Sequence, residues 1–107
     1  MHHISLSQAH QNLQDSGELF KVLFQHGTLS VEFYQPQFVD QQQPHSRDEI
    51  YLIATGRASF VGGAQIVQVQ KGDFLFVPAY EAHHFFDFSP DFAVWVFFYG
   101  VEGGEKQ

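Results

Sequence analysis

From Leu19 to Tyr99 the chain is a succession of short apolar runs that turn residues interrupt at close intervals. Apolar and polar side chains alternate within these runs, and this two-residue period is typical of half-buried β-strands. The runs are too short for helices of ordinary length. The pattern predicts an all-β domain, an antiparallel sandwich or barrel, with eight strands. The predicted strands are residues 19–25, 29–34, 49–55, 58–61, 64–70, 74–77, 82–88 and 93–99.

The amino-terminal segment, residues 1–18, is polar and has a different pattern. Ser5 or Ser7 can cap a short helix that Gly17 would end, with Ala9 and Leu13 on one of its faces. Residues 19–100 are predicted to form the barrel, and residues 101–107 a flexible tail. A chain of 107 residues is long enough for one core and too short for two domains.

Charge and cysteine content limit the classes of partner. The net charge is −7, and the five Lys and Arg residues are scattered singly. Nucleic acids and anionic membranes attract clustered cations, so we expect neither as a partner. The absence of Cys excludes a disulfide and a thiolate zinc site. The sequence has no recognisable signal peptide and no run of about 20 apolar residues, and a cytoplasmic protein is expected.

The first of two polar stretches contains Gln43, His45 and Glu49 and is followed by Gly56. Three residues separate His45 from Glu49, and six separate Glu49 from Gly56. This spacing resembles the first motif of the cupin superfamily, in which a His-x-His pair precedes the Glu. Gln43 stands where the first His is expected, and the opening Gly is missing because Phe38 or a neighbour takes its place.

The second stretch resembles the second cupin motif, with Gly72, Pro78 and His83 at the expected spacings. Tyr80 replaces a Gly of that motif, and Asp87 replaces an Asn. The resemblance extends over residues 33–99, which is nearly the whole predicted barrel. It implies a small single-domain cupin, with the jelly-roll barrel also described as a double-stranded β-helix.

The residues themselves also favour a metal site. Because side chains alternate along a strand, His45 and Glu49 at the entry to one strand and His83 at the start of another can converge in an apolar bowl. Two imidazoles and a carboxylate with open positions suit Fe(II), and Zn, Mn or Ni is also accepted. The cupin resemblance implies the same three ligands, with Gln43 as a fourth. The alternative is a metal-free site in which these side chains bond to one another.

Four aromatic side chains are candidates for the wall of a substrate pocket: Tyr51, Phe85, Trp95 and Phe97. An interior closed by eight strands is either filled or just wide enough for one small ligand. The alternative therefore assigns the same rings, together with other Phe residues, to the barrel core. Arg47 either forms a surface ion pair or guards the mouth for an anionic substrate.

The function predicted from these features is that of a metal-binding cupin that acts on, or binds, a small organic molecule inside the barrel. A dioxygenase, an isomerase or a cyclase is compatible with the residues, because one fold supports many chemistries. One alternative is a sensor or binding module without turnover. Another is a metal-free barrel that binds or isomerises a sugar, with His83 or His45 as base. The sequence assigns no catalytic residue.

The last predicted strand, Ala93–Tyr99, is an almost unbroken apolar run. One of its faces must point out of the barrel, so it exposes either Val94, Val96 and Phe98 or Trp95 and Phe97. An exposed apolar patch of this kind usually marks an interface, and we expect a homodimer. The alternative is that the amino-terminal segment folds back over this face.

Overall fold

The computed structural model describes residues 1–106 of the chain, in which one helix, α1 (Leu6–Ser16), precedes eight strands. The strands are β1 (Phe20–His26), β2 (Leu29–Tyr34), β3 (Asp48–Thr55), β4 (Arg57–Gly62), β5 (Gln65–Gln70), β6 (Phe74–Val77), β7 (His83–Phe86) and β8 (Ala93–Tyr99). They form a five-stranded sheet in the order β1-β2-β8-β3-β6 and a three-stranded sheet in the order β5-β4-β7. All of their pairings are antiparallel. The predicted all-β jelly-roll with a short amino-terminal helix is confirmed.

Local sequence signals determine both ends of α1. The Ser5 hydroxyl accepts a hydrogen bond from the Gln8 amide at 3.1 Å, and the Gln8 side chain accepts one from the Ser5 amide at 2.8 Å. This reciprocal cap satisfies two amides that the first turn leaves without partners. Gly17 ends the helix at a φ of 70°, a left-handed conformation that glycine adopts readily. Both helix signals were visible in the sequence.

The core lies between the two sheets. On β3, alternation directs Glu49 and Tyr51 into this interior, where both are buried. The ring of Phe85 lies 4.7 Å from that of Phe60, 5.0 Å from that of Tyr51 and 4.8 Å from that of Phe92, measured between centroids. Aromatic packing therefore fills much of the barrel, which leaves a polar site and a cavity beside it.

The outer face, which is the side of the five-stranded sheet turned away from the core, is also apolar. One row across it runs from β6 to β2 through Phe76, Ile50, Phe97 and Val31. The amino-terminal segment covers the neighbouring part, where Ala9 and Leu13 of α1 pack in a cluster with Phe33 and Trp95. The return of the amino-terminal segment over the sheet, which was the alternative to a homodimer, therefore occurs on one part of the outer face.

The remaining part of the outer face lies along β3 and β6, and we call it the edge patch. It consists of Leu52, Phe74 and Phe76, whose exposed fractions are 37%, 59% and 48%. Leu52 and Phe74 are cross-strand partners, so the three side chains form one continuous surface. None of the three side chains belongs to either buried hydrophobic cluster, and Leu52 shares a groove on the outer face with His2 and Ile4 of the amino-terminal segment.

Hydrogen bonds link the carboxyl-terminal tail to the loop before β3. The Gly103 amide donates to the Ser46 carbonyl at 2.7 Å, and the Glu105 amide donates to the Asp48 carboxylate at 2.8 Å. The predicted flexibility of residues 101–107 stays a prediction, and its last residue lies outside the described ones. Among residues 1–106, no helix has the length and the apolar character that crossing a membrane requires.

Candidate metal centre

Three predicted ligands meet inside the barrel near the ends of β3 and β7. Glu49 is the second residue of β3, His83 is the first of β7, and His45 belongs to the loop before β3. One ligand atom from each lies within 4.8 Å of the other two. Nε2 of His83 is 3.0 Å from Oε1 of Glu49, and these two residues are 4% and 1% exposed. Two sheets and a loop thus bring together residues that are far apart in the sequence.

Four buried atoms at this site have no hydrogen-bond partner among residues 1–106: Nε2 of His45, Nε2 of His83 and both carboxylate oxygens of Glu49. Nε2 of His83 and Oε1 of Glu49, 3.0 Å apart, form an ion pair when the imidazole is protonated, and neither atom has another hydrogen-bond partner among the described residues. An unpartnered buried carboxylate is costly, and native structures rarely keep one. Two imidazole nitrogens and a carboxylate that lack other partners form a donor set that fits a first-row divalent metal.

A hydrogen bond at Nδ1 of His83 determines that Nε2 is the ring nitrogen available to a metal. Nδ1 lies 2.8 Å from the backbone carbonyl of Glu81, to which it donates when it carries the proton. The neutral ring then presents the lone pair of Nε2 to Glu49 and the cavity. A histidine ligand whose other ring nitrogen bonds to a carbonyl is the usual arrangement in metal sites. The ring of His84, by contrast, is exposed on the other side of β7, as alternation predicts.

Burial and charge together shift the pKa values of the two histidines in opposite directions. Burial lowers the pKa of His45 from its ordinary value of 6.5, although Glu49 opposes this shift. Burial also acts to lower the pKa of His83, but the Glu49 carboxylate and the Glu81 carbonyl together outweigh it and raise that pKa. Tyr51 is buried beside the same carboxylate, and its pKa is raised well above 10. The Tyr51 phenol therefore keeps its proton.

The loop before β3 places Gln42, rather than Gln43, on the inside. Gln43 is exposed, whereas the side-chain oxygen of Gln42 accepts a hydrogen bond from the Tyr51 hydroxyl at 2.8 Å. The ligand role of Gln43 stays a prediction. The sequence reads Gln41-Gln-Gln43, and no pattern in a run of three identical side chains indicates which one turns inward.

Asp40 is a buried polar residue that the sequence interpretation missed. Its carboxylate accepts hydrogen bonds from the Tyr34 hydroxyl at 2.6 Å, the Gln42 side-chain amide at 2.8 Å and the Phe85 backbone amide at 2.8 Å. Since β7 is an edge strand, the Phe85 amide has no strand partner on that side. Asp40 therefore ties the loop to both sheets and orients Gln42. One Asp among loop residues carries no signal of such a role.

A cavity of about 550 Å³ opens beside the metal ligands. Its lining includes His45 and Glu49 together with Glu18, Glu32, Tyr34 and Gln42. Burial raises the pKa of Glu32, and Glu49 raises it further, while Ser30 and Arg47 act in the opposite direction. The sequence interpretation also missed Glu32, although a carboxylate at an inward position of the alternating run 29–34 was a usable signal.

The four predicted wall residues separate into two groups. Tyr51 and Phe85 are buried in the core between the sheets, at 0% and 1% exposure. Trp95 and Phe97 lie on the outer face, where both line a shallow groove of about 470 Å³. Alternation along β8 is the reason, because Val94 and Val96 take the inward positions. The structure does not bring Trp95 and Phe97 to the cavity beside the metal ligands.

Residues 30–103 match the family model described as a cupin domain, and this match covers well over half of the chain. The chain belongs to the cupin family. The resemblance indicated by the two motifs is therefore confirmed. Membership accounts for the two sheets and for the location of the candidate ligands, while the activity depends on the residues of the individual site.

Among curated proteins, an uncharacterized protein of Streptomyces coelicolor is 42% identical over 59 residues, which cover 55% of this chain and 56% of that protein. The chain thus spans little more than half the length of this relative. Among solved structures, KdgF from Halomonas sp. has a TM-score of 0.65 at 19% identity, over 77% of this chain and 78% of that one. The DMSP lyase DddQ from Ruegeria pomeroyi has a TM-score of 0.61 at 23% identity, over 70% and 40%. Structural similarity at such identities shows the cupin fold alone.

Three departures from the cupin motifs keep a left-handed backbone. Tyr80, in the place of the motif Gly, has a φ of 70°, and Asp87, in the place of the Asn, has a φ of 50°. Phe38, at or beside the missing opening Gly, has a φ of 63°. A side chain with a Cβ pays about 1–2 kcal/mol for this conformation. Tyr80 and Phe38 therefore hold a conformation that their side chains disfavour, whereas Asp tolerates it more readily.

Proposed function

We propose that the chain binds a divalent transition metal ion through His45, Glu49 and His83 and holds a small organic molecule in the adjoining cavity. The observation that carries the proposal is the set of four buried, unpartnered ligand atoms. The absence of Cys favours a site of nitrogen and oxygen ligands, which suits Fe, Zn, Mn or Ni. The cavity volume lies in the range of small-molecule sites.

Each site residue has a separate role in this proposal. Glu49 supplies negative charge, His83 is oriented through the Glu81 carbonyl, and His45 stays neutral because burial lowers its pKa. A bound metal would supply Lewis-acid chemistry or, with iron, redox chemistry. Tyr51 donates its proton to Gln42 and so can accept, but not donate, a further hydrogen bond. The reaction class, whether dioxygenase, isomerase or cyclase, stays open.

Metal analysis tests this proposal directly. Protein purified without chelator and without nickel affinity resin should contain close to one divalent metal ion per chain, or take up one from excess Fe, Zn, Mn or Ni. His83→Ala should lose the metal, while His84→Ala, a matched change on the exposed side of the same strand, should retain it. Circular dichroism checks that both variants fold. A folded wild-type protein that binds none of the four metals would refute the proposal and favour the metal-free alternative.

We also propose that the edge patch pairs with a second copy of the chain. Leu52, Phe74 and Phe76 are exposed side by side on an edge strand and its neighbour, and monomers rarely leave such surfaces bare. Light scattering at micromolar concentration should give about twice the chain mass of 12.3 kDa. Phe74→Lys should halve that mass, whereas Phe38→Lys, at an exposed Phe outside the patch, should not. A monomeric wild-type protein would exclude the dimer.

A further inference from the structure

Every charged group that lines the cavity, apart from the imidazole of His45, is a carboxylate. Glu18 lies at the exposed rim, Glu32 is half-buried on β2, and Glu49 lies at the metal site. Glu49 is almost completely buried and has no hydrogen-bond partner among the described residues, which makes the cavity a site built for a ligand rather than a solvated acidic surface. An anion that entered the metal-free cavity would meet three carboxylates in its lining.

Among the described residues, 1–106, no lysine or arginine lines the cavity. Lys21, Arg57, Lys71 and Lys106 are exposed elsewhere, and Arg47 donates its guanidinium hydrogen bond to the backbone carbonyl of Thr28. Arg47 is not among the residues that line the cavity, and the expectation that it guards the mouth for an anionic substrate stays a prediction. Within residues 1–106, Glu32 forms no salt bridge, and its one side-chain hydrogen bond comes from the Ser30 hydroxyl at 3.4 Å.

Apart from the side-chain amides of Gln41 and Gln42, the uncharged part of the lining is aromatic and aliphatic. Phe20 and Tyr34 come from β1 and β2, Phe98 comes from β8, and Val39 stands on the loop at the mouth. Aromatic faces attract organic cations through their quadrupole, and a carboxylate beside them adds direct attraction. Such a combination discriminates between ligands by their charge as well as by their shape.

From this lining we infer that the cavity selects a small organic cation, such as an amine or a quaternary ammonium group, and that Glu32 is the carboxylate that recognises it. The inference deepens the proposed function, on which it rests for the presence of a small ligand. A divalent metal on two neutral imidazoles and Glu49 keeps one net positive charge. Glu18 and Glu32 bring two negative charges, so the lining as a whole stays negative with the metal bound.

Three probes of similar shape and different charge test the inference: choline, its neutral carbon isostere dimethylbutanol, and the anion tert-butylacetate. Binding is followed by NMR titration of the full chain, both metal-free and loaded with Zn, through backbone amides of cavity-lining residues. Choline should bind at least about tenfold more tightly than dimethylbutanol, and tert-butylacetate should bind most weakly. Tert-butylacetate binding as tightly as choline would overturn the inference.

Glu32→Gln should lower the affinity for choline about tenfold and leave that for dimethylbutanol unchanged. Glu102→Gln removes the same charge at an exposed position outside the cavity and should change neither affinity. An unchanged ratio of the two affinities in Glu32→Gln would contradict the role of Glu32. If no probe shifts the resonances of the cavity-lining residues, the inference is wrong. The metal content of the same samples shows separately whether the proposed metal site is wrong.

Discussion

The Tyr51 hydroxyl donates a hydrogen bond to the side-chain oxygen of Gln42 at 2.8 Å, and this bond joins the loop before β3 to the floor of the barrel. Asp40 determines its direction, because the carboxylate accepts from the amide nitrogen of Gln42 and so turns the amide oxygen toward Tyr51. Tyr51 also touches the candidate metal site, since its ring lies 6.0 Å from that of His83. The loop that carries His45 is thus positioned by a chain of hydrogen bonds that ends at Tyr51, beside the metal ligands.

Asp40→Asn should destabilise the protein by at least about 2 kcal/mol. Both carboxylate oxygens of Asp40 accept hydrogen bonds, and the substitution replaces one of them with an NH₂ group, which donates. The variant loses a bond from Tyr34 or from Phe85 and places an amide N–H against another donor. Urea denaturation measures the change. Asp73→Asn is the control, since Asp73 accepts a single amide in an exposed turn and should cost less. Equal effects of the two substitutions would show that the Asp40 network contributes little.

Replacing Tyr80 tests the strain in the second motif. Tyr80→Gly should be about 1 kcal/mol more stable than Tyr80→Ala, because only glycine avoids the Cβ penalty at a φ of 70°. Both variants lose the same mostly exposed ring, so the comparison isolates the backbone term. The free energy of unfolding in urea is the measurement. An alanine variant as stable as the glycine variant would mean that the loop relaxes to another conformation.

His83 should affect stability with opposite pH trends in the presence and absence of metal. Its pKa is raised in the folded, metal-free protein. Its contribution is therefore complete below the unfolded value of about 6.5 and is lost as pH rises through the folded value. With metal the neutral imidazole binds, so its contribution grows as pH rises through the same range.

Thermal melts of wild-type protein and His83→Gln, over a pH series on both sides of 6.5, measure this difference. With chelator present, the difference by which His83→Gln melts below the wild type should shrink as pH rises. With saturating Zn this difference should grow. His84→Gln serves as the control, and its melting temperature should follow the wild type throughout. A deficit with the same pH trend in both conditions would contradict a ligand role for His83.

Glu32→Gln should stabilise the ligand-free protein at neutral pH. Burial raises the pKa of Glu32 in the folded state, so stability falls as pH rises from about 4.5 through that raised value. The Gln side chain of the variant removes this cost. Its stability advantage over the wild type should disappear below pH 4.5, where Glu32 is protonated in both the folded and the unfolded wild-type protein. Urea denaturation at neutral and acidic pH measures it, with Glu102→Gln as control. A Gln variant less stable than the wild type at neutral pH would contradict the cost assigned to the Glu32 charge.

Local pattern was sufficient for most of the fold. Alternation and turn residues predicted all eight strands, and Ser5 and Gly17 marked the two ends of the helix. The convergence of Glu49 with His83 was predictable for the same reason, since alternation and the cupin spacing placed both on inward faces. The strand and helix signals depend on residues close in sequence, whose conformational preferences act before any tertiary contact forms, whereas the meeting of Glu49 with His83 also requires the two sheets to face each other.

Register and loop path could not be derived in this way. Whether Trp95 or Val96 faces inward depends on how β8 pairs with β2 and β3, and a shift by one residue exchanges the two faces. Gln42 lines the cavity instead of Gln43 because Asp40 accepts both the Gln42 amide and the edge amide of Phe85. The bond from the Phe85 amide to Asp40 joins residues 45 positions apart.

The sequence alone determined the strands, the helix and the three side chains that can share a metal. Tertiary structure alone decided that Asp40 anchors the loop, that Glu32 lines the cavity, and that the edge patch stays uncovered. The physical reason is that strand and helix signals are local preferences. The burial of a carboxylate, by contrast, depends on partners and neighbours that only the assembled sheets bring together.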